Sequence, residues 1–488
     1  MNLIWTRAHS LGLGTLAALL GSCASPGLFD DLVMERTSPS PATPMVDRAQ
    51  PLGMRVTSPA VTTVPGPTSS PTQSLSACLD TALAMNPKTR AAWERARAKA
   101  QAVSAADGAY LPQLWLQGTF FGLQDFAPAI PERANWTGNQ EIGSVNLQWL
   151  LVDFGRRDAD SARARRLLDA ANADFDRSIQ TVVFTVQQSY FNLDAQEALR
   201  RAAQLDLENA RLQLEATEQM LALGLATRPQ VLEMRQDFAR ARYELEAAAA
   251  TVYDAKCDLL VAMGMPPTTT LNIESLDAQP LPEGLELRVD EVIAQALADR
   301  PDIAGALARV RAAEQAVARA DAEFMPTLSL QGMYGLAEQD FDVTQGSQSA
   351  TNSGSSSLWQ FGLAGQWLLF DGWIRAAKVE EARAQQRAAS SDLEDLRLQA
   401  SGEVWSSYFA VLATRRQFEA AQAMQAAAQD SYDAVFQSYV NGLMTSTDLL
   451  ASEAALFDAR SSVIQSRSDL LTAAARLAYS AGAQQTGG

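Results

Sequence analysis

A chain that repeats itself over roughly 200 residues must build one architecture twice, and this one does so at fixed offsets. Asn86-Pro87 recurs 214 residues on as Arg300-Pro301, and Leu111-Pro112 as Met325-Pro326. Further along, Asp153 recurs as Asp371, Ser189-Tyr190-Phe191 as Ser407-Tyr408-Phe409, and Gly224-Leu225-x-Thr227 as Gly442-Leu443-x-Thr445, all shifted by 218. The offset changes once, between Pro112 and Asp153, so each copy holds two fixed blocks around one variable loop. The second copy's loop is longer by four residues, 218 less 214. Length change confined to one place marks an exposed loop. For a chain of 488 residues the repeat points to two related halves rather than to several unrelated domains.

Each half reads helix, paired strands, very long helix, turn, helix. Ala77 to Ala109 is rich in Ala, Arg, Lys and Glu and is punctuated by Asn86-Pro87, which predicts a short helix and then a longer one. The period then switches to two: Gln113, Trp115, Gln117 and Thr119 alternate with Leu114, Leu116, Gly118 and Phe120, and Val145, Leu147 and Trp149 with Asn146 and Gln148. In the second copy Leu328 and Leu330, then Phe361, Leu363 and Trp367, behave alike, and the Gly, Ser, Thr, Asn and Gln of Thr344 to Ser357 predict a solvated loop. Strands of about ten residues with terminal tryptophans and one polar face suit a transmembrane β-barrel. A soluble hairpin packed on helices is the competing reading. Four strands cannot close a barrel, and lipid does not tolerate open edges, so the membrane reading requires several chains. Two would give eight strands and a filled lumen; three would give 12 and room for a passage.

Arg156 to Leu223 contains 68 residues without proline or glycine, about 100 Å as continuous helix. Its counterpart, Trp373 to Asn441, is interrupted only at Gly402. Leu168, Ala171, Phe175, Ile179, Val182, Val186, Tyr190 and Leu193 recur at 3, 4, 4, 3, 4, 4, 3, an 11-residue repeat that keeps the apolar stripe near one face of a nearly straight rod. Gly224 and Gly442 can each supply the left-handed residue that ends a rod. Thr227 with Gln230, and Thr445 with Asp448, resemble capping boxes that start the next helix. Each tip is therefore expected to be a tight helical hairpin, with returning helices of about Arg228 to Met263 and Ser446 to Ala478 that reach mid-rod.

The N-terminus reads as a secretion signal: Arg7, an apolar run from Leu11 to Leu20 too short to span a bilayer, then small residues. Leu20-Gly21-Ser22-Cys23 resembles a bacterial lipobox, which would place lipid on Cys23, and Ala24 lacks the Asp that marks inner-membrane retention. Ala24 to Ser74 holds nine of the chain's 20 prolines and few large apolar residues, so a disordered tether is expected. Cys78 and Cys257, far apart in sequence, read as independent small apolar residues, although an oxidising compartment would permit a disulfide. The one histidine, His9, lies in the signal, so the mature chain has none, which removes Ser/His and Cys/His nucleophilic pairs and imidazole metal sites. A net charge of −17 argues against nucleic acid as a partner. No paired carboxylates, phosphate-cradling loop or metal cluster suggests an enzyme or a cofactor.

Over residues 76 to 482 the pattern resembles the TolC-like outer membrane efflux protein family. The signatures are Asn86-Pro87, Arg300-Pro301, Leu111-Pro112, Met325-Pro326, Asp153-Phe154-Gly155-Arg156-Arg157, Leu369-Phe370-Asp371-Gly372 and the two Gly-Leu-x-Thr tips, in order and duplicated. The resemblance implies a mainly α fold with a small transmembrane β part: a homotrimer whose 12-stranded barrel continues into a 12-helix periplasmic tunnel. It implies a lipid-anchored outer-membrane exit duct with a long periplasmic extension, working with a periplasmic adaptor and an inner-membrane transporter. It also implies that Leu223, Gly224, Leu225 and Thr227, with Gly442, Leu443 and Thr445, contact the adaptor. Asp448 falls where the family lines the closed periplasmic end, and the same carboxylate serves equally as a helix cap. The equivalent residue in the first half is Gln230, so a double ring of acid is not expected. The expected divisions are a signal at 1–22, lipidated Cys and tether at 23–75, repeats at 76–274 and 289–482 joined by 275–288, and a tail at 483–488. The alternative is a periplasmic coiled-coil lipoprotein that bridges membranes without a pore.

Overall fold

The computed structural model describes residues 72–127, 134–276, 288–345, 347–441 and 443–483. The signal, Cys23, the tether up to residue 71, most of the inter-repeat linker, Gly442 and the tail from residue 484 lie outside the described residues. The first copy comprises α1 (Leu75–Met85), α2 (Pro87–Gly108), β1 (Gln113–Ala127), β2 (Ala134–Val152), α3 (Arg156–Ala222) and α4 (Arg228–Ala262). The second comprises α5 (Val289–Asp299), α6 (Pro301–Ala322), β3 (Thr327–Gln345), β4 (Gln348–Gln366), α7 (Ile374–Val440) and α8 (Ser446–Ser480). Helices at matching positions have equal lengths: 11 residues for α1 and α5, 22 for α2 and α6, 67 for α3 and α7, and 35 for α4 and α8. Gly402 does not interrupt α7, whose hydrogen-bonded neighbours on both sides hold the helix through it.

The chain divides into two compact units. One is formed by Ala96–Asp169 and Ala308–Ala389 and carries a single antiparallel sheet in the order β1-β2-β3-β4. Each hairpin comes from one copy, and pairing of β2 with β3 joins the copies through the sheet's centre. The strands run to 15 and 19 residues, beyond the expected ten. Thr344 to Ser357, expected as loop, is almost all strand among its described residues: the β3–β4 ladder continues to Gln345↔Gln348. Polar composition tells how a segment is solvated, but an antiparallel ladder satisfies its backbone whatever its side chains are. The length difference between copies does sit at the hairpin ends, where β1–β2 pairing stops at Ala127↔Ala134 with six residues between.

The other unit contains, among its described residues, 72–95, 170–276, 288–307 and 390–483. Its larger core joins Cys78 and Ala82 of α1, Val182, Val186, Tyr190 and Leu193 of α3, and Val252 and Leu259 of α4 to Leu271 and Ile273. The α3 stripe is thus half-buried at Ala171, Phe175 and Ile179 and fully buried from Val182 to Leu193. Gln73 at the end of the expected tether pairs with Ile273, its N–H donating to Asn272 O at 2.8 Å while Glu274 N–H donates to Gln73 O at 3.0 Å. Tyr190 fastens the same place by donating to Glu274 O at 2.7 Å. Cys78 and Cys257 are free thiols, and burial pushes the Cys78 thiol up to about 11. A second core joins Val292 and Ala296 of α5, Val404, Val411 and Phe418 of α7, and Leu470 and Leu477 of α8.

The two X-Pro junctions owe their conservation between copies to one duplicated contact. Asn86 Nδ2 donates to Ala262 O at 2.7 Å, and Arg300 Nη1 to Ser480 O at 3.3 Å. The helix ends opposite turn on Gly264 (φ +76°) and Gly482 (φ +74°), where a Cβ would meet the backbone of Asn86 at 2.7 Å and of Arg300 at 3.1 Å. A left-handed residue and a close backbone approach coincide, so only glycine fits.

Candidate functional site

Register decides what the sheet can do. Leu114↔Leu147↔Gly332↔Phe361 form one rung across all four strands, and Leu116↔Val145↔Tyr334↔Trp359 the next. Trp149↔Leu330↔Leu363 extends the same side. Side chains alternate between faces, so these rungs make one continuous apolar face. Gln113, Gln148 and Gln331, then Trp115, Asn146, Met333 and Gln360, fall on the other, which is the more polar of the two. The apolar face is uncovered by any described residue: Leu116 is 59 % exposed, Trp359 75 % and Leu363 65 %. It ends where β4 turns polar, at Ser357 to Ser353, so about ten residues of each long strand carry it. Strands β1 and β4 each pair on one side only.

A duplicated corner holds each hairpin's return to helix. Asp153 Oδ2 accepts from Arg157 N and Nε at 3.0 and 2.9 Å, and Asp371 Oδ2 from Arg375 N and Nε at 3.0 and 2.8 Å. Each guanidinium lies over an aromatic ring, Arg157 over Tyr110 at 4.8 Å and Arg375 over Phe324 at 4.9 Å. The carbonyls of those aromatics accept from Trp149 Nε1 at 2.8 Å and Trp367 Nε1 at 3.0 Å. The chain turns through two left-handed residues, Phe154-Gly155 or Gly372-Trp373. The sequence singled out Asp153 and Asp371 and carried Arg157 within a signature; that Arg157 and Arg375, four residues later in both copies, pair with those aspartates was not read from it.

In the other unit the helix tips match the expected hairpins. Leu225 N–H donates to Met220 O at 2.8 Å and Leu443 N–H to Ser438 O at 2.9 Å, the six-residue closure of a glycine-ended helix, with Gly224 at φ +74°. The turn expels the leucines: Leu223, Leu225 and Leu443 are among the most exposed apolar side chains of the chain. Thr227 N–H donates to Gln230 Oε1 at 2.7 Å. Thr445 N–H and hydroxyl donate to Asp448 Oδ2 at 3.0 and 2.6 Å, and Asp448 N–H returns a bond to Thr445 Oγ1 at 3.3 Å. The Thr445 hydroxyl and then its N–H hold the exposed Asp448 carboxyl below the usual carboxylate range. Ser446, buried, donates to Glu233 Oε2 at 2.9 Å and so ties the second tip to α4. No group of His, Cys, Asp and Glu arranged to hold a metal ion is found among the described residues, and no described helix is long and apolar enough to cross a membrane.

Residues 78–265 and 292–483 match the family model for outer membrane efflux proteins, one match to each copy. Protein CyaE of Bordetella pertussis is 28 % identical over 353 residues, 70 % of each chain. Cation efflux system protein CusC of Escherichia coli O157:H7 is 26 % identical over 348 residues, 68 % of this chain and 72 % of its own. The solved structure of the outer-membrane channel OprN superposes with a TM-score of 0.71 at 22 % identity, covering 84 % of this chain and 89 % of that one.

Proposed function

The chain belongs to the outer membrane efflux protein family, and from that premise we propose that it is the outer-membrane exit duct of a tripartite efflux or secretion system. The observation that carries the proposal is the sheet. An apolar face about ten residues tall, a more polar opposite face and two open edges are what lipid, a water-filled lumen and further copies would respectively cover. Three copies supply 12 strands, enough for a lumen with room for passage, whereas two supply eight and fill it. In this reading α3, α4, α7 and α8, with α1, α2, α5 and α6, form the periplasmic tunnel. We read the two repeats as 76–274 and 289–482, a division that the family matches at 78–265 and 292–483 support, preceded by a signal at 1–22 and, from a lipid-carrying Cys23, a tether that gives way to ordered structure at Gln73.

The exposed leucines at 223, 225 and 443, beside Gly224, Gly442, Thr227 and Thr445, are the surface for a periplasmic adaptor, which joins the duct to an inner-membrane transporter. Asp448 lines the periplasmic end. Its capping bonds leave it ionised, so three copies attract cations. Transport through such a duct is passive and calls for no catalytic group.

The test is the native mass of the detergent-solubilised, signal-cleaved protein, followed by single-channel conductance. A three-chain mass with acyl groups and a conducting pore is expected. A water-soluble monomer that needs no detergent would sink the barrel and leave a bridging lipoprotein.

A further inference from the structure

Between the tips and the mid-rod core, four helices of one unit meet at a buried carboxyl. Glu453 of α8 is 5 % exposed, and its Oε2 accepts from Gln213 Nε2 of α3 at 2.9 Å. Its other oxygen, Oε1, is buried without a hydrogen-bond partner, and so is Oε1 of Gln213. The charged groups around it are mostly of its own sign. Asp206 of α3 and Asp237 with Arg240 of α4 act on it, Tyr432 of α7 interacts with both Glu453 and Gln213, and Glu244, Asp433 and Arg460 act in turn on Asp206 or Tyr432. Both arginines are engaged elsewhere: Arg240 Nη2 with Asp237 Oδ1 at 2.5 Å and Arg460 Nη2 with Gln429 Oε1 at 2.7 Å. An anion here would keep a single hydrogen bond next to two other carboxylates, the arrangement that buried charge tolerates least. Burial first, then Asp206 and Asp237, push the Glu453 carboxyl up to about 7 against the pull of Gln213 and Arg240.

We propose that Glu453 is a proton-binding site that latches the α3–α4 hairpin to the α7–α8 hairpin and releases them as the surroundings turn alkaline. The proton comes from water and resides on the carboxyl. The neutral acid donates to Gln213 once that amide turns over, and the junction then holds one uncompensated charge fewer. Ionised, the carboxylate is repelled by Asp206 and Asp237 and draws water between the helices. The sign follows from a carboxyl raised in the folded state: the contribution is complete below the ordinary glutamate value of 4.5 and is lost as pH rises through about 7. A metal ion suits the place less well, because the two free oxygens offer far fewer ligands than the six or more that calcium takes. The inference is independent of the exit-duct reading, since it concerns helices within one chain.

The test uses the full-length protein in detergent, with infrared detection of protonated carboxyl and hydrogen exchange of the amides around Gln213 and Glu453. Wild type should lose a carboxyl band near pH 7 and gain on the order of tenfold in local opening between about pH 6 and about pH 8. Glu453→Gln should lack the band and exchange at a rate independent of pH after correction for intrinsic chemistry. Asp206→Asn should lower the pH at which the band disappears, a readout that survives even if Glu453→Gln folds poorly. A band that titrates with the ordinary carboxylates, an unchanged pH response in Glu453→Gln, or a response to calcium or magnesium at fixed pH would overturn the proposal.

Discussion

Two glycines of similar backbone angle should behave differently when given a side chain. Gly224 at a tip has φ +74° and open space around a Cβ, so Gly224→Ala should cost only the left-handed strain of about 1–2 kcal/mol. Gly264 adds a collision with Asn86 backbone at 2.7 Å, so Gly264→Ala should lower the melting temperature considerably more than Gly224→Ala does. A second residue pair separates capping from charge. Asp448→Asn keeps an acceptor for Thr445 and should leave the melting temperature almost unchanged while reducing any cation preference in conductance; Asp448→Ala should lower both. Because Thr445 holds Asp448 below the ordinary aspartate range, that preference should be flat from pH 7 down to about pH 5. Its stabilising effect is present above the unfolded value and is lost only in stronger acid. At this scale the sequence disclosed whatever is local: the capping boxes, the tip glycines, the X-Pro junctions. Gly264 opposite Asn86, Arg157 behind Asp153 and Glu453 beside Gln213 passed unread, since their meaning lies in which backbone or side chain the fold brings against them.

At the scale of elements, helix boundaries followed the sequence closely because their causes are short-range. Proline at the starts of α2 and α6, glycine past the ends of α3 and α7, and unbroken alanine-rich runs between them act over a few residues. Strand lengths did not follow, because hydrophobic alternation stops where the apolar face stops while the ladder continues to Gln345↔Gln348. Nor did the sequence announce that β2 would pair with β3, a contact between segments almost 200 residues apart in the chain. The apolar rung makes a prediction that the soluble-hairpin alternative does not share. Leu116→Arg, in the middle of that face, should cost about 2–4 kcal/mol when unfolding is measured from lipid vesicles. A hairpin facing water would accept arginine there without loss.

For the molecule as a whole, anchoring and assembly should come apart experimentally. A lipid on Cys23 would add membrane affinity of about 0.8 kcal/mol per buried CH₂, and in the proposed barrel the sheet's own apolar face would hold the body in lipid without it. Cys23→Ser should therefore reduce the mass of each chain by its acyl groups and leave the three-chain assembly intact, as read by native mass spectrometry. The equal lengths of the matched helices carry a further consequence. Half of this chain, released as its own polypeptide, would already possess a hairpin, a rod and a return helix, and six such halves would supply as many strands and rods as the three chains of the proposed assembly. Covalent fusion gives up that uniformity and gains freedom to differentiate. Gln230 can serve as a neutral cap on one hairpin while Asp448 keeps its charge on the other. In the proposed three-chain assembly, uncharged and charged corners would then alternate around the rim, a pattern that six identical pieces have no means to specify.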